Sequence, residues 1–165
     1  MHHSLPLIPF LLALAAPPTA TPKAGAQWLP VSTRVSRPTF DAVALDLSPL
    51  NNSPDVKNAG LWPPSVDDVL LAERGLEAFL RTSLAWRSPR IRANLSLYKR
   101  QYTGFTRAGR RLLAVQFFHP DSPPVHDGTW ATTYLTVAGG GDLFFRLTFD
   151  PSSRTYGNVW VNAPE

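Results

Sequence analysis

The sequence predicts an α+β fold, one long helix packed on a curved antiparallel meander of four to five strands. Apolar residues recur at three- and four-residue steps over 65–86, whereas beyond residue 95 they alternate singly. The period therefore changes once, from 3.6 to 2, which favours helix and strands in separate blocks over alternating βαβ units. With 165 residues, 44% apolar and 17% charged, the chain has the composition of one folded domain.

The N-terminal run LPLIPFLLALAA at 5–16 has the length of a secretory h-region and is too short to span a bilayer. Ala24-Gly25-Ala26 then offers small residues for cleavage before Gln27, with Ala20 as the second choice, so 1–26 is expected to be a signal peptide. An uncleaved N-terminal anchor is the alternative. No later stretch is long and apolar enough to span a membrane. Zero cysteines exclude a disulfide scaffold, a Cys-ligated metal, a thiol nucleophile and a lipoprotein anchor. Such a chain suits a secreted or periplasmic bacterial location.

Residues 27–64 form a proline-rich extended lead-in, with Pro30, Pro38, Pro49, Pro54, Pro63 and Pro64, and only 43–47 resembles a short strand. A single α+β domain is expected over 65–165. Its helix opens at Ser65, which can cap the first turn while Asp68 completes a capping box and Asp67 complements the dipole. Val69, Ala72, Leu76, Phe79, Leu80 and Leu84 make its apolar stripe, and Ser88-Pro89 is expected to end it. Strands are predicted at 95–105, 110–119, 129–137, 143–150 and 156–162. In the fourth, Leu143, Phe145, Leu147 and Phe149 alternate with Phe144, Arg146, Thr148 and Asp150, so one face should pack and the other should be largely wet. Arg107-Ala108-Gly109, Gly139-Gly140-Gly141 and Asp150-Pro151-Ser152-Ser153 carry turn residues between strands.

This order of elements over roughly 60–162 resembles the cystatin-like α+β architecture. It is also similar to uncharacterised secreted bacterial proteins with an L-x-x-Y-K-R-Q-Y stretch, here Leu95, Tyr98, Lys99, Arg100, Gln101 and Tyr102, and a G-G-D-x-x-F-x-V-x-Y-D-like strand. The matching residues of that strand are Gly140, Gly141, Asp142, Phe145, Leu147, Phe149 and Asp150. The cystatin resemblance implies a fold. Its inhibitory Q-x-V-x-G hairpin is not matched, because Thr103 and Phe105 stand at the Val and Gly places, and Gly128-Thr129-Trp130 is the nearest approach to its Pro-Trp hairpin. Fold likeness does not carry function.

The functional signal that stands out most is a charge run. Arg87, Arg90, Arg92, Lys99, Arg100, Arg107, Arg110 and Arg111 lie in one stretch without Asp or Glu and include half of the 16 basic residues. Strand alternation puts Tyr98, Arg100 and Tyr102 on one face, with Arg100 and Arg111 expected in solvent. Tyr98, Lys99, Arg100, Tyr102, Arg107, Arg110 and Arg111 together predict a binding surface for an anionic glycan, a lipid headgroup or an acidic protein surface. Export makes nucleic acid the weaker candidate. A solvated face that blunts sheet edges is the competing structural reading. Trp130, Tyr134, Tyr156 and Trp160 offer a second, aromatic platform.

The enzymatic alternative is a secreted hydrolase or metal-dependent enzyme built on the loop from His119 to Asp127, where His119, Asp121, His126 and Asp127 are competent metal or acid–base groups. No G-x-S-x-G elbow presents a serine to them, and the spacing matches no metal motif. Gly139-Gly140-Gly141-Asp142 lacks the Lys-Ser/Thr of a phosphate loop, and Asp67-Asp68 point apart as helix-start residues. The sequence therefore names no cofactor, and leans toward a non-enzymatic binding or inhibitor-like module. A polar pocket under the helix would point to a small ligand.

Overall fold

The computed structural model describes residues 31–52 and 60–164; the expected signal peptide and the first residues of the lead-in lie outside them. Six strands form one sheet in chain order: β1 (Val31–Arg37), β2 (Phe40–Asp46), β3 (Lys99–Arg107), β4 (Arg110–Phe118), β5 (Phe144–Asp150) and β6 (Thr155–Val161). Neighbours are antiparallel except β2 and β3, which run parallel. A parallel step requires the chain to cross back over the sheet. The crossover carries three short helices, α1 (Val66–Glu73), α2 (Leu76–Arg81) and α3 (Pro89–Asn94). The expected long helix on an antiparallel meander of four to five strands is thus corrected to a six-stranded mixed sheet with helices inserted between its second and third strands.

The helix predicted over 65–86 starts as expected. Ser65 Oγ accepts from the Asp68 N–H at 3.1 Å and Asp68 Oδ2 accepts from the Ser65 N–H at 2.8 Å, a complete capping box. It breaks at Gly75. The Tyr156 hydroxyl donates to Ala72 O at 2.5 Å and accepts from Gly75 N at 3.2 Å, taking two backbone groups that a continuous helix would pair internally. Glycine is also about 1 kcal/mol less favourable than alanine inside a helix. Val69, Ala72, Leu76 and Leu80 are buried as the stripe requires, but Leu84 lies beyond the break in a 3-10 turn and is 71% exposed. Ser88-Pro89, expected to end the helix, starts α3 instead: Ser88 Oγ accepts from Ile91 N at 3.2 Å and Pro89 holds the first helical position.

The described part of the lead-in is a hairpin of the same sheet. Pro38 and Thr39 form its turn, where a fixed φ is an asset. β1 is an edge strand with only Val35 buried, whereas Ala42, Val43, Ala44 and Leu45 of β2 are buried on both faces. Chain re-enters the sheet at Trp62, whose N–H reaches Gly104 O at 3.1 Å and whose ring covers Gly104 so closely that a Cβ there would meet it at 2.4 Å.

Strands at 110–119, 143–150 and 156–162 are found within a residue or two of their predicted limits, and the one predicted from 95 begins at Lys99 after a 3-10 turn. Segment 129–137 is not a strand. It follows the short helix α4 (Pro123–His126), turns at Thr129–Ala131 and crosses the sheet face opposite the helices. Its backbone is held by one buried side chain: Gln101 Nε2 donates to Trp130 O at 2.5 Å and Thr133 O at 2.6 Å, and Gln101 Oε1 accepts from Leu135 N at 3.4 Å. Asn162 Nδ2 extends the clamp to Val137 O and Gly139 O. An amide side chain thereby supplies what a neighbouring strand would.

The sheet consequently has two covered faces. Tyr98, Tyr102, Val115, Phe117, Phe145 and Leu147 pack under the helices, while Val43, Leu45, Phe118 and Phe144 pack with Trp130 under 119–143. The wet face expected for β5 is buried, with Phe144, Thr148 and Asp150 all under 9% exposed.

Replacing Gln101 by Leu should leave two buried carbonyls unpaired, at a cost of about 1–3 kcal/mol. Urea unfolding should show that loss, and amide exchange should rise first over 130–137; exchange that rises uniformly would mean that Gln101 does not hold the segment.

Candidate functional site

The predicted basic surface is not a single exposed face. Arg100 is 2% exposed and Tyr98 and Tyr102 are fully buried, because their face of β3 is the one under the helices. The expectation that Arg100 lies in solvent is corrected on that ground. Its guanidinium lies over the rings of Phe40 and Phe117, 5.5 Å from each centroid, and donates to Tyr98 O and Leu95 O. Arg100 Nε stands 3.0 Å from Glu73 Oε1 but off a hydrogen-bonding line, so this contact is an ion pair. Tyr102 completes the group by donating to the same oxygen at 2.5 Å. Burial pushes the Glu73 carboxyl up and outweighs the opposing Arg100 charge and Tyr102 bond. It pushes the Tyr102 hydroxyl up too, helped by the Glu73 charge.

The other cations of the acid-free run are mostly answered from distant parts of the chain. Lys99 Nζ lies 2.8 Å from Asp41 Oδ2, which Arg34 also meets at 2.6 Å, and Lys99 and Arg34 both stand over Trp130. Arg90 pairs with Asp142 at 2.5 Å, and Arg110 pairs with Asp150. Arg111 stacks on Trp62, 3.9 Å from the ring centroid. Arg87, Arg92 and Arg107 are exposed. Three of the seven predicted site residues are therefore core, two are tied to carboxylates, and Arg107 and Arg111 remain at the surface.

The aromatic platform is divided as well. Tyr156 stacks on Phe79 on the helix side, Trp130 and Tyr134 pack on the opposite side, and only Trp160 is strongly exposed, at 53%.

The loop from His119 to Asp127 disperses its four groups. His119 is buried with its Nδ1 accepting from the Asp121 N–H at 3.1 Å, so Nε2 carries the proton, without a partner among the described residues. Burial lowers its pKa, against the opposing charge of Asp121. The Asp121 side chain is 77% exposed, and Asp127 accepts from Thr129. Among the described residues no three His, Asp or Glu side chains gather as a metal site would require.

What the structure does assemble is a groove of about 330 Å³ above the Arg100–Glu73 pair. The helix break supplies Glu73, Arg74, Leu76 and Glu77; α3 and its flanking turns supply Trp86, Arg92, Leu95 and Ser96; Thr39 comes from the β1–β2 turn. Among the described residues Arg74 and Arg92 have no carboxylate partner, whereas Glu77 is held by Arg81 at 2.7 Å. Sequence reasoning placed Arg100 in the site and Arg92 in the charge run and missed the rest, because they meet only through the break at Gly75 and the parallel crossover. No protein-family model, curated protein or solved structure matches this sequence.

Arg100→Ser should leave Glu73 buried without its counter-charge and cost about 3–5 kcal/mol, read as a lower denaturant midpoint. An unchanged midpoint would place Arg100 outside the core.

Acid should act through different pairs. The Arg110 bond holds the Asp150 carboxyl at about 2. For Asp41, burial pushes upward, and the bonds from Arg34, Lys99 and Ser36 outweigh it and hold it below the usual range. A lowered folded pKa contributes stability that is complete above the unfolded value, about 4, and is lost as pH falls through the folded one. Circular dichroism should show a fold that is unchanged at pH 5 and weakens toward pH 2, and Asp41→Asn with Asp150→Asn should flatten that dependence.

Proposed function

We propose that this chain is an exported, non-enzymatic binding module, acting in the periplasm or outside the cell, whose partner presents an anionic group to the groove above Arg100. The observation that carries this reading is the pair of rim guanidiniums, Arg74 and Arg92, left without carboxylate partners among the described residues, beside a buried cation. Arginine forks recognise carboxylate and phosphate oxygens in two-point geometry, and a groove focuses their field better than a convex surface. A glycan, a lipid headgroup or an acidic protein side chain could each carry the anion. Export rests on the run at 5–16 and the small residues at 24–26. No helix among the described residues is long and apolar enough to cross a membrane.

Binding of this kind must respond to salt, since exposed charges are screened over about 8–10 Å at physiological ionic strength. The Arg74→Ser, Arg92→Ser double variant should keep its folding midpoint and bind a soluble polyanion such as dextran sulfate about 2- to 30-fold more weakly at low salt, from about 0.2–1 kcal/mol for each exposed pair. If Arg107→Ser with Arg111→Ser weakens binding instead, the anion is held on the β3–β4 turn and the groove is not the site.

A further inference from the structure

We infer that the groove takes an acidic sugar unit of the uronic acid type. This rests on the anion-binding reading above and names the ligand within it. An anion alone would be served by arginines alone, yet two carboxylates line the same groove. Both contacts of Glu73 to Arg100 and Tyr102 fall on Oε1, and both bonds from Arg81 to Glu77 also fall on Oε1. Each residue therefore keeps Oε2 as an acceptor, and a carboxylate has lone pairs for about four bonds in all. Such acceptors repel a second anion at close range and reward a hydroxyl donor. Thr39 and Ser96 add hydroxyls that can give or accept.

The third component is apolar. Trp86, Leu76 and Leu95 also line the groove, so a ligand that fits must carry a carboxylate for Arg74 and Arg92, hydroxyls for Glu73 and Glu77, and a C–H face for the indole. A uronic acid has all three. A simple phosphate has no apolar face, a fatty acid has no hydroxyls, and a neutral sugar leaves the arginines unanswered. A volume of about 330 Å³ is at the small end of ligand clefts, suited to a single sugar unit of a longer chain or to the free monosaccharide.

Calorimetric titration of the full chain with glucuronate, galacturonate, glucose, benzoate and inorganic phosphate tests this. At least one uronate should bind at least about tenfold more tightly than glucose, benzoate and phosphate. Glu77→Ala, at an exposed position that leaves the core pair intact, should weaken the uronate by about threefold or more while benzoate stays level or tightens. Benzoate or phosphate binding as well as the uronates would overturn the sugar assignment and leave the anionic groove standing. No saturable binding of any anion would overturn both.

Discussion

A buried guanidinium on a central strand sets the terms for much of this molecule. Arg100 sits in β3 over the rings of Phe40 and Phe117, where only 2% of its surface is left exposed. A charge in that position is tolerated only with a counter-charge and filled hydrogen bonds. Glu73 provides the first, and the carbonyls of Tyr98 and Leu95 take bonds from the two terminal nitrogens, while Nε keeps only the ion-pair contact. Because Glu73 is the last residue of α1, the ion pair ties the end of that helix to the sheet. Leu95 O is fixed in turn, so the 3-10 turn that leads into β3 lies beside the end of α1. The space left between these two ends is the groove.

How much of this was legible follows from the range of each interaction. The capping box at Ser65, the β3–β4 hairpin and the strands β5 and β6 rest on contacts within a few residues, and their patterns were visible. The break at Gly75 depends on Tyr156, 81 residues away, whose hydroxyl inserts into the helix. Nothing in the stripe from Val69 to Leu84 announces it. The edge strand β1 faces solvent at every residue but Val35, so it carries no alternation to detect. Segment 129–137 shows the opposite failure. Trp130 is buried and Ala131, Tyr134, Leu135 and Val137 are partly so, but the burial comes from lying across the sheet while Gln101 holds the backbone.

The charge run shows why local composition misleads about surface chemistry. Residues 87–111 contain no acid in sequence, yet Asp41, Glu73, Asp142 and Asp150 come to them in space. Two of those carboxylates precede the run and two follow it. Long-range ion pairing of this kind uses arginine well, since its fork meets a carboxylate at two points and its plane can also stack on a ring, as Arg34 does at Asp41 and Trp130. A run of cations was evidence of positions that need partners. Of the two groove-rim cations that have no carboxylate partner among the described residues, Arg92 lies in the run and Arg74 lies outside it.

Three amide side chains show the same economy in neutral form. Asn51 donates to Leu61 O and accepts from Leu61 N, Gln101 grips 130–135, and Asn162 donates to Val137 O and Gly139 O. Each satisfies backbone groups on a segment that has no strand or helix of its own there. Irregular chain over the sheet face opposite the helices is admissible only on that condition, since buried backbone groups without partners would each cost about 1–3 kcal/mol. With those segments pinned, the described residues with loose cationic ends are confined to the surface, and at the groove they stand over a charge pair that the core itself requires. A ligand held as proposed above would meet a core that folding has already ordered, which lowers the cost of binding.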